Sequence, residues 1–194
     1  MTHPSPTELA QRPKRADARR NYDKLVAAAR AAFAADGTQA SLEDIARRAG
    51  VGIGTLYRNF PTRQALIEAV YIGEVEEMAR TAEGLASLEP WDALVAWLRE
   101  YVRFAATKRA LTQAMLATVD PDAQVFASCR AQITGAGDAL VRRAQEAGVV
   151  RADATFSDIG RMMAGIAAIP AADPGQIDRI LDVALDGLRY GTSP

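Results

Sequence analysis

The stretch Ser41 to Thr62, SLEDIARRAGVGIGTLYRNFPT, leaves the chain little freedom, because two short helical patterns flank a glycine with room only for a tight turn between them. Ser41 is placed to cap the amide of Asp44, and Asp44 to reach back in the manner of a capping box, so a helix starts near Leu42. Leu42, Ile45, Ala46 and Ala49 recur at helical spacing and share one face, while Arg47 and Arg48 fall on the other. Gly50 stands where this helix must end, in the left-handed conformation that glycine adopts without strain. The segment from Gly52 to Asn59 is too short to stand alone as a helix. It presents Thr55, Tyr57 and Arg58 between the expected anchors Ile53, Leu56 and Phe60, and Pro61 and Thr62 end it.

Two helices joined in this way suit a helix-turn-helix, whose second helix enters the major groove where base edges are readable. The same spacing also suits an ordinary αα-hairpin inside a bundle. Charge bears on the choice. The chain's net charge is -1, but residues 1–60 hold 10 Lys and Arg against 6 Asp and Glu, and the rest holds 13 against 18. The basic end coincides with the hairpin, as expected of a nucleic-acid contact.

The wording of the motif decides further. The run Ser41 to Leu66, with Ala46, Ala49, Gly50, Val51, Gly54, Thr55, Leu56, Tyr57 and Phe60 in place, closely resembles the N-terminal domain of the TetR family of transcriptional regulators. The resemblance covers about the first third of the chain. It implies that Thr55 and Tyr57 contact phosphates, that Gly52, Ile53 and Arg58 approach the groove, and that Arg63 matches a phosphate-contacting basic position. Ser41 joins them as a backbone contact, although capping alone explains it. Tyr57 has a second reading, packed against the first helix with only its hydroxyl satisfied. Many members carry a polar side chain after the valine; here Gly52 stands there, which removes one contact.

The resemblance also implies an all-α fold of about nine helices. A basic N-terminal arm (1–18) precedes a three-helix helix-turn-helix domain (19–65) and a helical effector-binding and dimerisation domain (66–190). The pattern itself places helices at Arg19–Asp36, closed by Gly37, and from Thr62 toward Gly84. In the body, breaks are expected at Pro90, near Thr107, at Asp120-Pro121, at Gly148 and around Pro170 to Pro174, with Gly135 and Gly137 softening the long helix between the third and fourth. The leader, with Pro4, Pro6 and Pro13, reads as disordered and ends in the basic run RPKRADARR. Either a phosphate-following arm or a solubilising tail fits it.

Within the body, Trp97, Tyr101, Phe104, Met115, Phe126, Cys129 and Met162 are the aromatic and soft side chains expected first at a pocket for an apolar or aromatic effector. Each also suits plain core packing. Glu74 or Glu100 turned inward would favour a cationic ligand. The last two helices carry apolar stripes, Ile159, Met163, Ile166 and Ala167 on one, and Ile177, Ile180, Leu181, Ala184 and Leu188 on the other. The TetR resemblance implies that these helices pair with their two-fold mates as a homodimer interface, although the same stripes would serve the protomer's own core.

Other classes find little support. His3, the one histidine, lies in the leader, and Cys129 is the one cysteine, so neither a hydrolytic triad nor a Cys/His metal site can be built. Gly50, Gly52 and Gly54 follow a helix and lack the third glycine of a dinucleotide loop. No apolar segment approaches the roughly 20 residues of a membrane span. The chain is expected to be cytoplasmic and not an enzyme, with no cofactor or metal. Its expected partners are a double-stranded DNA operator, a small-molecule effector and a second copy of itself, with no membrane. The leading expectation is a repressor released from a palindromic operator by its effector, with activation left open. The alternative is a helical small-molecule-binding protein or enzyme without a DNA-binding role.

Overall fold

The computed structural model describes residues 13, 15–116, 124–170, 173 and 175–189. Most of the expected leader, His3 and the Asp120-Pro121 break lie outside them. Eight helices and no strand occur among the described residues: α1 (Ala16–Asp36), α2 (Leu42–Arg48), α3 (Ile53–Asn59), α4 (Arg63–Gly84), α5 (Pro90–Leu116), α6 (Gln124–Glu146), α7 (Phe156–Ala167) and α8 (Gln176–Arg189). Residues 90–116 form one helix without the break suggested near Thr107. The local sequence AATKRA contains no glycine or proline, so nothing there stops a helix.

Punctuation follows capping chemistry. Ser41 Oγ accepts from the Asp44 amide at 3.3 Å, and Thr62 Oγ1 from the Ala65 amide at 3.1 Å. The reciprocal half of the capping box is absent, because Asp44 turns its carboxylate to Arg47 and Arg48 instead. Gly50 (φ 68°) and Gly148 (φ 69°) each close a helix with paired bonds: Gly50 N–H to Arg47 O and Val51 N–H to Ala46 O, then Gly148 N–H to Gln145 O and Val149 N–H to Ala144 O. A side chain at either position would be strained in that left-handed backbone.

Two compact units result. The first holds the described chain up to Glu74 together with Lys108–Phe126; the second holds Val75–Thr107 and the described chain from Ala127 onward. In the first, α2 packs against α1 and α3. Leu25, Ile45, Leu56, Phe60 and Leu66 have almost no exposed surface, and Tyr22 meets Phe60 at 5.0 Å between ring centroids. Val26 lies against Gly73, and Arg30 pairs with Glu74, which fixes α1 along α4.

The second unit is built around Trp97. Its ring lies 5.6 Å from Tyr101 and 5.4 Å from Phe156, and its indole N–H donates to Met78 O at 3.0 Å. The polar end of the indole is thereby satisfied inside an apolar core. Gly137 is part of this arrangement rather than a soft spot, since α6 continues unbroken through it. A Cβ there would stand 2.5 Å from Phe156 Cγ, so the Phe156 ring owes its seat to the missing side chain. Gly137→Ala is accordingly expected to lower stability by about 1–3 kcal/mol despite alanine's better helix propensity. Thermal unfolding checks this, and a raised melting temperature would refute it.

Candidate nucleic-acid interface

Burial divides the second helix of the hairpin into two faces. Leu56 and Phe60 are enclosed, while Tyr57 is 46% exposed and Ile53 37% exposed. Ile53 is therefore not the buried anchor its spacing suggested: it shares a side with Leu56 and Phe60, but as the first residue of α3 it stands at the open end of that side. Tyr57 is likewise among the exposed side chains.

The exposed face is small and spare. Gly52 is the N-cap of α3 in an extended conformation (φ -72°, ψ 150°) with no side-chain cap, and neither Gly52 nor Gly54 would bring a Cβ within 4 Å of any neighbouring atom. Nothing among the described residues requires glycine at either position. Thr55 is half-buried, its hydroxyl accepts from Arg58 Nη2 at 3.0 Å, and its carbonyl accepts from the Asn59 side chain at 2.8 Å. Arg58 is thus laid back along the helix, beside Thr55 and one turn from the Gly52–Gly54 edge.

Ser41 is exposed at the start of α2 and donates to Glu43 Oε2 at 3.0 Å. The Glu43 carboxyl is held below its usual range, first by its own backbone N–H, then by Ser41 and by the charge of Arg63. Arg63 itself is half-buried and donates to the carbonyls of Thr38 (3.2 Å) and Ala40 (2.5 Å). It ties the start of α4 to the loop before α2. Its guanidinium is a strut within the first unit, a role that spacing alone did not suggest.

The seven side chains grouped as an effector set separate. Trp97, Tyr101 and Phe104 form one ring cluster in the second unit, where Cys129 is also buried. Met115 and Phe126 belong to the first unit, with Phe126 edge-on to Tyr71. Met162 is on the surface, lining an open cleft of about 390 Å³ between α7 and α8 with Val183, Ala184 and Gly187. Glu74 is paired with Arg30, and Glu100 is exposed and bonded to Arg103 at 2.7 Å, which lowers its pKa.

The stripes on the last two helices divide in a similar way. Ile159, Met163, Ile166, Leu181 and Leu188 are buried inside the protomer, whereas Ala167, Ile177, Ile180 and Ala184 are half-buried. The exposed apolar surface lies one helical step away, at Met162, Ile169 and Val183, the last 75% exposed.

Sequence reasoning missed Glu68. Its carboxylate sits in the buried first half of α4 at 2% exposure with Oε1 unbonded, and burial raises its pKa. A glutamate inside the otherwise apolar run ALIEAVY, Ala65 to Tyr71, was the available signal.

A helix-turn-helix with its second helix outward, followed by a helical body, defines the class of helical DNA-binding regulators. The comparisons agree. Residues 25–70 match the family model of bacterial regulatory proteins of the tetR family, and residues 89–190 match that of the SbtR-like transcriptional regulator C-terminal domain. A TetR transcriptional regulator from Streptomyces coelicolor is 44% identical, with 87% of this chain and 98% of that one covered at a TM-score of 0.76. A TetR regulatory protein from Mycobacterium vanbaalenii is 35% identical, with 92% and 100% covered at 0.75. A regulator from Mesorhizobium loti, 15% identical, covers 90% and 97% at 0.66 and shares the fold. No curated protein sequence matches. The chain belongs to the TetR family, a family of DNA-binding transcriptional regulators and not of enzymes.

The raised Glu68 pKa has a signed consequence. Its neutral form favours the folded state at pH below the unfolded value, and that contribution is lost as pH rises through the folded one. Glu68→Gln, neutral throughout, is expected to raise the melting temperature at about pH 7 and to change it little near about pH 4. Equal shifts at both pH values would exclude a buried, proton-linked carboxyl.

Proposed function

We propose that this chain is a homodimeric repressor of the bacterial cytoplasm that leaves a palindromic operator when a small apolar or aromatic effector binds. The outward face of α3 carries the reading: Ile53, Tyr57 and the bare edge Gly52–Gly54 are exposed although nothing in the protomer needs them so. Exposed Ile53 supplies an apolar contact suited to a thymine methyl group, and Tyr57, Thr55 and Ser41 supply hydroxyls for phosphates. Arg58 reaches the groove on giving up its bond to Thr55. Arg63 acts by holding the start of α4 and adds positive charge near the backbone.

The glycines fit close approach of a DNA backbone, which excludes side chains. Gly54→Ala should therefore separate folding from binding. Alanine gains about 1 kcal/mol of helix propensity, while duplex affinity falls about tenfold, the loss from one displaced charge-assisted hydrogen bond. A variant that is both more stable and an equally good binder would remove the glycines from the interface.

Dimerisation is assigned to the outer face of α7 and α8, where Met162, Ile169 and Val183 expose apolar surface beside Ile180, Ala184 and Gly187. Ile177 and Ala167 flank it, and the buried members of the two stripes support it from within. A two-fold pair would present two copies of α3, and half-sites about 34–36 Å apart would match them. Effector control then requires reciprocity: an effector that weakens operator binding is itself held less tightly by the operator complex.

Selection of bound duplexes from a random pool is expected to return a palindrome, bound with an affinity that falls steeply with salt. Val183→Glu is expected to leave protomer stability within about 0.5 kcal/mol and to convert the dimer to monomer by light scattering, with loss of affinity for the full site. A non-palindromic consensus, or a monomeric parent chain at micromolar concentration, would overturn the reading.

A further inference from the structure

Two polar side chains in the first half of α4, Glu68 buried and Gln64 half-buried, each hold an enclosed atom with no hydrogen-bond partner among the described residues. Among the described residues no donor bonds Glu68 Oε1, and Gln64 Nε2, one turn earlier, has no acceptor. Four residues apart, they share a stripe of α4 that continues through Tyr71 and Val75. Tyr71 shows what the stripe faces. Its ring meets Phe126 at 5.7 Å in an edge-on arrangement, and Lys108 Nζ stands 4.9 Å from its centroid. Lys108 shares a face of α5 with Leu111 and Met115, both buried, so Gln64 and Glu68 look toward apolar surroundings of their own unit.

A buried donor or acceptor without a partner has lost its water and gained nothing in return. The chemistry of what would satisfy this pair is narrow. An ammonium would serve Glu68 but set its own donors against the Gln64 amide group. A carboxylate would serve Gln64 but stand against the Glu68 oxygens. A neutral group that both donates and accepts serves the two together. Burial raises the Glu68 pKa, and a bare ligand charge taken into the same surroundings would carry the same desolvation cost.

We propose that Gln64 and Glu68 bind the polar end of a mostly apolar effector through a neutral hydroxyl or primary amide. That group donates to Glu68 Oε1 and accepts from Gln64 Nε2, and Tyr71, Met115 and Phe126 line the apolar part. The proposal rests on the effector-controlled reading above and narrows the effector's class. It also gives a place to Met115 and Phe126, which the Trp97 cluster does not include.

Calorimetry on the full chain with five compounds of one skeleton tests it: phenylbutanol, phenylbutanamide, phenylbutylamine, phenylbutanoate and butylbenzene. The alcohol and the amide are expected to bind about tenfold more tightly than the other three, the worth of satisfied hydrogen bonds. That preference is expected to vanish in the double variant Gln64→Leu, Glu68→Leu, whose melting temperature stays level or rises because two unpartnered groups are gone. Equal affinities across the series, no millimolar binding of the alcohol or amide, or preference for the amine would each overturn the assignment. So would a preference that survives in the double variant, or a double variant that melts well below the parent. Operator affinity with the alcohol bound is read separately. Binding with the expected preference but without operator release keeps the site and overturns the switch.

Discussion

A helix of seven residues does not persist in water, because its nucleation cost is spread over too few hydrogen bonds, and α3 therefore exists only through what holds it. Leu56 and Phe60 supply the apolar grip, and the Gly50 turn sets the angle at which α3 leaves α2. Because Gly50 is left-handed and both its own amide and that of Val51 are bonded back into α2, the turn has one shape. The outward direction of Ile53 and Tyr57 follows from that shape, as does every proposed contact to DNA.

The grip in turn depends on α4. From Ala65 to Tyr71 every side chain of this helix is buried, which no single-faced amphipathic helix would show. Tyr22, Val26 and Arg30 of α1 lie along one side of the first unit, against Phe60, Gly73 and Glu74, and Phe126 with Lys108 lies against Tyr71. Over that run the helix has no solvated side on which to place a polar group, so the Glu68 carboxyl, with the enclosed Gln64 amide nitrogen one turn before it, is either a burden or a ligand's partner. Arg63 at its start is a different case. Two backbone carbonyls accept from its guanidinium, and the half-buried charge is satisfied within the protein.

What the sequence made legible was local. Ser41, Thr62, Gly37 and Gly50 each act over a few residues through a cap or a backbone angle, and such effects are written in the residue itself. The family's motif carried the fold of the remainder. Residue direction was less legible where two faces compete. Met163 and Met162 are neighbours on α7, yet one is enclosed and the other is on the surface, because a rotation of about 100° per residue separates core from solvent. Periodicity shows that an apolar stripe exists; it does not show where a second stripe, at Met162, Ile169 and Val183, leaves the core. Gly137 was illegible for another reason. Its role belongs to Phe156, 19 residues away in sequence, and a helix pattern read alone can treat the glycine only as a weakness. Asp44 was misassigned because Arg47 and Arg48 offer its carboxylate charged partners that outcompete a backbone amide.

The spare surface of α3 has a consequence for the kind of discrimination proposed here. Base readout relies on side chains that can make two hydrogen bonds at once, and α3 brings Arg58 and Asn59, both already bonded to Thr55. Hydroxyls on phosphates fix position without reading sequence. With Gly52 and Gly54 in place of longer side chains, α3 can lie closer to the DNA backbone, which makes groove width and local shape part of what is sensed. A reading head of this type distinguishes sites by their deformability and by the spacing of two half-sites more than by many direct base contacts. In the dimer proposed above, such selectivity would depend on the pairing of two heads, and the α7 and α8 surface assigned to that pairing would weigh on the operator as much as α3 itself.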